Sequence, residues 1–171
     1  PGKFKITFTS PKKAAPITYI YELKSRSKKN GIERVQGVTS KDFIYLLMPD
    51  RFSNGDETND HVAGMRDQSL NRNKIYDRHG GDLQGVINHL DYLKKIGITT
   101  LWMTPVLEND QPKTSYHGYA NTENYKIDRR FGTNEDYKKL VDESHKRGMK
   151  VIKDLVHNHV GTEHFTIKDK P

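Results

Sequence analysis

The 171-residue sequence has no cysteine, which excludes a disulfide framework and any thiolate-bound metal while leaving the compartment open. It has no apolar run near the ~18 residues of a membrane span, and its basic opening lacks the apolar stretch of a signal peptide. No membrane partner is therefore expected. The opening Pro1-Gly2 lacks an initiator Met and reads as the start of a chain processed or cut from something longer. Acidic residues are fewer than basic ones, 22 against 29, for a net charge of +7. Such an excess marks a nucleic-acid or anionic-surface partner only when it clusters on one face. Here it is spread, and the densest cluster (Lys24, Arg26, Lys28, Lys29) lies in a Ser- and Gly-punctuated stretch that reads as a solvated linker. No nucleic-acid partner is expected either. Apolar residues, at 33%, are lean material for a core, and the length allows one domain or parts of two.

Phe4, Ile6 and Phe8, then Ile17, Tyr19, Tyr21 and Leu23, alternate with polar neighbours around the turn-forming Ser10 to Lys13, which predicts a β-hairpin over 1–24. Two strands alone are marginal, so the hairpin reads as the tail of an upstream all-β domain, with 25–41 as linker. From residue 42 the pattern becomes α/β. Phe43 to Met48 is a continuous apolar run, as a strand buried on both faces requires. Leu83, Val86, Ile87, Leu90 and Leu93 recur at helical spacing, with Asp82 as N-cap and Gly97 as stop. A strand from Thr99 to Met103 follows. A second helix groups Tyr137, Leu140, Val141 and Ser144, opens at Thr133 or Asn134 and closes at Gly148 before a strand from Lys150 to Val156. This order implies a parallel sheet with crossover helices. The loops after the first two strands run about thirty-five and about thirty residues, against a usual ~2 to 6, and in parallel α/β folds such loops carry the ligand site.

The first loop reads Asp50 to Asp60 with oxygen-bearing side chains around Gly55. That pattern suits a hard cation such as calcium, which takes ~6 to 8 oxygens, or an ion-free polar turn; local spacing leaves both open. His79-Gly80-Gly81-Asp82 before a helix makes a tight turn and a cap, and lacks what a nucleotide loop needs. Ser115-Tyr116-His117-Gly118-Tyr119 sets rings beside an imidazole. A packed aromatic turn and a pyranose site, which needs a stacking face and a hydrogen-bonding edge, both fit it. In Asp154 to His159, strand alternation would send Asp154, Val156 and Asn158 to one face and Leu155, His157 and His159 to the other, unless the strand ends before His159, and two histidines two apart without a third ligand argue poorly for zinc.

Together these segments resemble the α-amylase family of glycoside hydrolases: Tyr45 to Asp56, Gly80 to Gly85, Tyr116 to Tyr119 followed by Ile127-Asp128 and Phe131-Gly132-Thr133, and Asp154 to His159, in family order and spacing. The neopullulanase and cyclomaltodextrinase branch, whose members carry an immunoglobulin-like β-domain before the barrel, is the most similar. The resemblance implies a partial (β/α)8 barrel over 42–171, comprising its first three βα units, preceded by a hairpin from that β-domain. It implies a calcium site from Asn54, Asp56, Asn59, Asp60, Asp82 and the Gly80 carbonyl, and places Asn158 where many relatives ligate a second calcium. His117 and His159 would hydrogen-bond the sugar, Tyr119 would stack beneath it, and Asp154 would support them. Ala120, Glu123 and Asn124 depart from the family pattern, and His157 is variable there.

The resemblance further implies a retaining mechanism in which two carboxylates ~5 Å apart act as nucleophile and acid. Family members place these after strands four and five, which this sequence does not reach. The expected function is a segment of an α-glucan hydrolase, acting on starch, maltodextrin, pullulan or cyclodextrin in the whole enzyme, and inactive by itself. Self-association through the exposed sheet edge is expected, and secretion or a periplasmic location. The rival reading is a non-catalytic carbohydrate-binding or scaffold protein.

Overall fold

Alternation in the opening residues becomes an antiparallel hairpin: β1 (Gly2–Phe8) pairs with β2 (Ile17–Leu23) so that Phe4 faces Tyr21, Ile6 faces Tyr19 and Phe8 faces Ile17. The pleat gathers these six and Leu23 on one face, where each is between 40% and 61% exposed. This computed structural model describes residues 2–11, 15–25 and 37–168. Lys12 and Lys13 of the turn, and Arg26, Lys28 and Lys29 of the basic cluster, lie outside the described residues. Contacts divide the chain into two units, Pro1–Gly37 and Val38–Pro171.

The second unit is built on a parallel sheet of order β3 (Ile44–Leu47), β4 (Thr100–Met103), β5 (Lys150–Lys153), with Ile44 level with Thr100 and Lys150. Among the described residues only one face is covered. Leu47, Leu101 and Met103 pack with Leu83, Val86, Leu90, Leu93 and Leu140 from the helices. Each such burial stabilises by roughly 1.5 to 3 kcal/mol, and Leu140→Ala would cost ~2 to 5 kcal/mol. Ile44, Leu46 and Trp102, 39%, 55% and 37% exposed, line the open face. The apolar run from Phe43 therefore does not mean burial on both faces among the described residues.

Among the described residues the unit also has four short helices and one long one: α1 (Pro49–Phe52), α2 (Leu83–Asn88), α3 (Leu90–Lys95), α4 (Asn134–Lys146) and α5 (Phe165–Lys168). The single helix expected after Asp82 is two, broken at His89. There the imidazole Nδ1 donates to the Gly85 carbonyl at 2.8 Å, taking the acceptor that the His89 backbone N–H would use, and that N–H bonds the Val86 carbonyl instead. The ladder tightens and turns. The expected caps hold: Asp82 accepts from the Gly85 N–H at 2.6 Å, and Thr133 and Asp136 form a reciprocal capping box at the start of α4. β5 ends at Lys153, short of the expected Val156, so strand alternation does not govern Asp154 to His159.

Candidate functional site

The loops leaving the sheet at the carboxyl ends of its strands carry little regular structure, and a buried polar network holds them. Arg130, 1% exposed, forks onto Asp128 (Nε to Oδ1 2.9 Å, Nη2 to Oδ2 2.8 Å) and donates to the carbonyls of Asp67 and Asn109. Burial pushes the Asp128 carboxyl up, but the bonds and charge of Arg130, backed by Arg78, leave it below the ordinary carboxylate value. Asp67 accepts from the Ser115 hydroxyl and N–H, and Arg78 donates to the same hydroxyl at 3.2 Å. The loop after β3 is thereby tied to the turn carrying His117. Arg51 adds a second tie. Its guanidinium lies 4.0 Å from the centre of the Tyr116 ring and donates to the carbonyls of Ile75 and Asp77. Asp50 beneath it is buried, which pushes its carboxyl up despite Arg78 and Arg51 nearby.

Gly118 makes the turn between His117 and Tyr119 possible. Its φ is +83°, and a Cβ there would lie 1.9 Å from the Pro105 carbonyl oxygen. The turn stacks the His117 imidazole on the Tyr119 ring, centroids 6.0 Å apart and planes at 22°. The Tyr119 N–H donates to His117 Nδ1 at 2.9 Å. Burial lowers the His117 pKa, so the ring is neutral near pH 7 with its proton on Nε2, which presents a donor. The Tyr119 hydroxyl donates to Asp154 Oδ2 at 3.1 Å, and burial, then that carboxylate, raise its pKa. His159 Nε2 donates to the Tyr119 carbonyl at 2.8 Å, while Asn158 Nδ2 lies 3.3 Å from His159 Nδ1. Asp154 and His159 thus converge on one residue, contrary to the alternation expectation, because the strand ends at Lys153 and the chain bends at Asn158. Tyr119, 39% exposed, keeps ring surface open to solvent. The group can offer a neutral ring-shaped polyol an aromatic face and an imidazole N–H.

The oxygen-rich loop is ordered by Asp82, whose carboxylate accepts the N–H groups of Gly55, Asp56 and Gly85 and the Asn59 amide at 3.3 Å. Asp56 turns back onto the Thr58 N–H and hydroxyl. Asn54 donates to Asp60, and at Gly80 (φ +85°) a Cβ would come within 2.6 Å of Asp60 Oδ1. The side-chain oxygens of Asn54 and Asn59 are buried without a hydrogen-bond donor. Among the described residues no three His, Asp or Glu side chains gather as a metal site; Asp56 and Asp82 are engaged with backbone N–H groups. Asn54, Asn59 and Asp60 nonetheless fit a hard cation by chemistry, since buried amide oxygens without donors lack only an electropositive partner.

Residue pattern does not single out Trp102, Asp67, Arg78 or Arg130. Trp102 donates from Nε1 to Asp154 at 3.1 Å, and its one available signal is that it is the sole tryptophan, placed near the end of a strand. The other three are charged residues whose partners across the loops are distant in sequence, the Asp67 carbonyl for Arg130 and Ser115 for Asp67 and Arg78, although Arg130 also bonds Asp128 two positions away. A cavity of about 270 Å³ behind the turn is lined by Leu107, Asn121, Asn124, Leu155 and His157 among others.

Among the described residues no helix is long and apolar enough to cross a membrane. A family model described as the alpha amylase catalytic domain matches residues 44–170. Neopullulanase 2 of Thermoactinomyces vulgaris is 39% identical over 127 residues, covering 74% of this chain and 21% of that protein. The periplasmic alpha-amylase of Escherichia coli (strain K12) is 34% identical over 159 residues, covering 81% and 23%. Among solved structures, the alpha-amylase from Geobacillus thermoleovorans complexed with acarbose aligns with a TM-score of 0.59 at 42% identity, covering 75% of this chain and 25% of that one. The chain spans between 10% and 23% of the length of the curated relatives it matches. The chain belongs to the alpha-amylase family, as part of its catalytic domain.

Proposed function

We propose that this chain forms the sugar-gripping wall of an α-glucan hydrolase, the first three βα units of a (β/α)8 barrel preceded by the end of an immunoglobulin-like β-domain. The observation that carries the reading is Tyr119, 39% exposed, its ring stacked on His117, its hydroxyl bonded to Asp154 and its backbone carbonyl to His159. Tyr119 would stack under a glucosyl ring, the His117 Nε2–H would donate to a sugar hydroxyl, and His159 would hold the Tyr119 backbone and face the same sugar. The alpha-amylase that aligns in complex with acarbose supports an oligosaccharide ligand. Nucleophile and acid would come from later strands of the whole enzyme, so the 171-residue chain binds without cutting. A periplasmic relative supports an extracytoplasmic location.

Calcium would be held by Asn54, Asn59 and Asp60 with the Gly80 carbonyl, offsetting buried negative charge where the first loop meets α2. Asp56, Asp82 and Asn158 complete the expected ligand list; they have protein partners already, as Asp60 has in the Asn54 amide. Among the described residues no further strand pairs with the outer edges of β3 and β5, which would favour self-association of the chain alone.

Isothermal titration of the chain with maltoheptaose, with reducing-end release followed in the same sample, tests the reading. Binding without release is expected, and Tyr119→Ala should weaken binding about tenfold, a stacking contribution near 1.4 kcal/mol. Unchanged binding in Tyr119→Ala, with the circular dichroism spectrum retained, would refute it.

A further inference from the structure

Three side chains from three segments meet at one atom. Asp154 Oδ2 accepts the phenol of Tyr119 and the indole N–H of Trp102, each at 3.1 Å. Trp102 is fixed in the central strand of the sheet, level with Leu46 and Ile152, whereas Tyr119 lies on a turn and Asp154 just beyond β5. A carboxylate with one phenol partner on a loop can swing with it. A second donor from a strand fixes the carboxylate rotamer, and with it the place the phenol must occupy. Packing does not supply this restraint, since the Tyr119 and Trp102 residues are 39% and 37% exposed.

We infer that Trp102 is a positioning residue for the Tyr119 ring, acting through Asp154. The inference rests on the reading of Tyr119 as the sugar-stacking residue. It has a consequence that a packing role lacks: the indole N–H and the Tyr119 hydroxyl act through one oxygen, so their removal is not additive.

The test is the Kd for acarbose of the chain and its Trp102→Phe, Tyr119→Phe and double variants, with the thermal midpoint of each. Both single variants should weaken acarbose about fivefold to tenfold, the scale of one net hydrogen bond, and the double variant little more than either. Losses that multiply, or an unchanged Kd in Trp102→Phe with only the midpoint lowered, overturn the inference. If Tyr119→Ala binds as the wild type does, the underlying reading falls, and the inference with it. If Tyr119→Ala weakens binding and Trp102→Phe does not, the inference alone falls. Should Trp102→Phe fail to fold, the wild-type indole proton decides, because the single tryptophan gives one resonance. A shift on Tyr119→Phe and on acarbose binding supports the role, and a resonance indifferent to both overturns it.

Discussion

Replacing Arg130 by Met should unfold the loops before it disturbs the sheet. The side chain has 1% exposure, and its removal deletes two bonds to Asp128 and one each to the carbonyls of Asp67 and Asn109. Asp128 keeps the Asn109 N–H and the Arg130 backbone N–H but loses its balancing charge at a fully buried position. Breaking a buried pair from one side costs ~3 to 5 kcal/mol, a large part of a typical domain's ~5 to 15 kcal/mol. For a chain of this size that lowers the thermal midpoint by roughly 6 to 20 °C. The pH dependence gives an independent sign. In the wild type the folded Asp128 carboxyl titrates below its unfolded value, so its stabilisation is full above the ordinary carboxylate pKa near ~4 and is lost as pH falls through the folded value. Without Arg130, burial is opposed only by Arg78 and two backbone N–H groups, and the folded value moves up. The variant then loses less than the wild type on acidification from pH 7 to 3. Midpoints by circular dichroism at both pH values test this. A cost under about 1 kcal/mol, or the same pH response in both proteins, would refute the claim that this pair is the core of the loops.

Gly118→Ala should abolish acarbose binding and cost more than ~4 kcal/mol, because a Cβ 1.9 Å from the Pro105 carbonyl oxygen has no room to relax; near-wild-type binding by titration would contradict the turn geometry. Calcium at a hundred times its Kd should raise the thermal midpoint of the chain, a stabilisation of about 2.7 kcal/mol, and Asp60→Ala should remove the effect. Equal midpoints with calcium and with chelator would sink the cation proposal. At the amino end of the sheet, the hydrogen bond from Lys150 at 2.8 Å, then the Thr39 N–H, hold the Asp42 carboxyl far below the usual range. Its contribution is present above the ordinary carboxylate pKa and lost as pH falls toward the folded value. Lys150→Met should therefore flatten the acid limb of a midpoint-against-pH curve.

What was legible in the residues was local chemistry. Thr133 with Asp136, Asp82 before Leu83, and Gly148 after α4 act within four residues of themselves, so order and spacing suffice to place them. The break at His89 escaped because Leu83, Val86, Ile87, Leu90 and Leu93 keep helical period across it, and periodicity cannot report a side chain that returns to its own backbone. The face of Asp154 was misjudged for a related reason: alternation holds only while a strand lasts, and β5 stops one residue earlier. Arg130 with Asp67, and Trp102 with Asp154, are separated by 63 and 52 positions. No window along the chain contains both members, and charge in a loop ordinarily means solvent.

The lean apolar composition and the long loops have one explanation. Segments of thirty residues with little regular structure give only a few side chains to the hydrophobic core, among them Val106, Leu107, Ile127 and Phe131, and here Asp67, Arg78, Asn109, Ser115, Asp128 and Arg130, all buried, hold the rest with directional bonds. Such a network fixes geometry more sharply than apolar packing, because each bond has a preferred angle as well as a distance. It also concentrates risk, since one missing partner leaves a buried charge. The His117 to Tyr119 turn inherits both properties. Its anchor Ser115 is bound by Asp67 and Arg78, and Tyr119 at its outer end is aligned by Asp154 at the hydroxyl and His159 at the backbone carbonyl instead of by burial. A sugar-stacking ring must stay open to its ligand, so it cannot be immobilised by covering it. Polar restraint at its edge, from a carboxylate that a strand indole pins in place, is the remaining way to hold such a ring still.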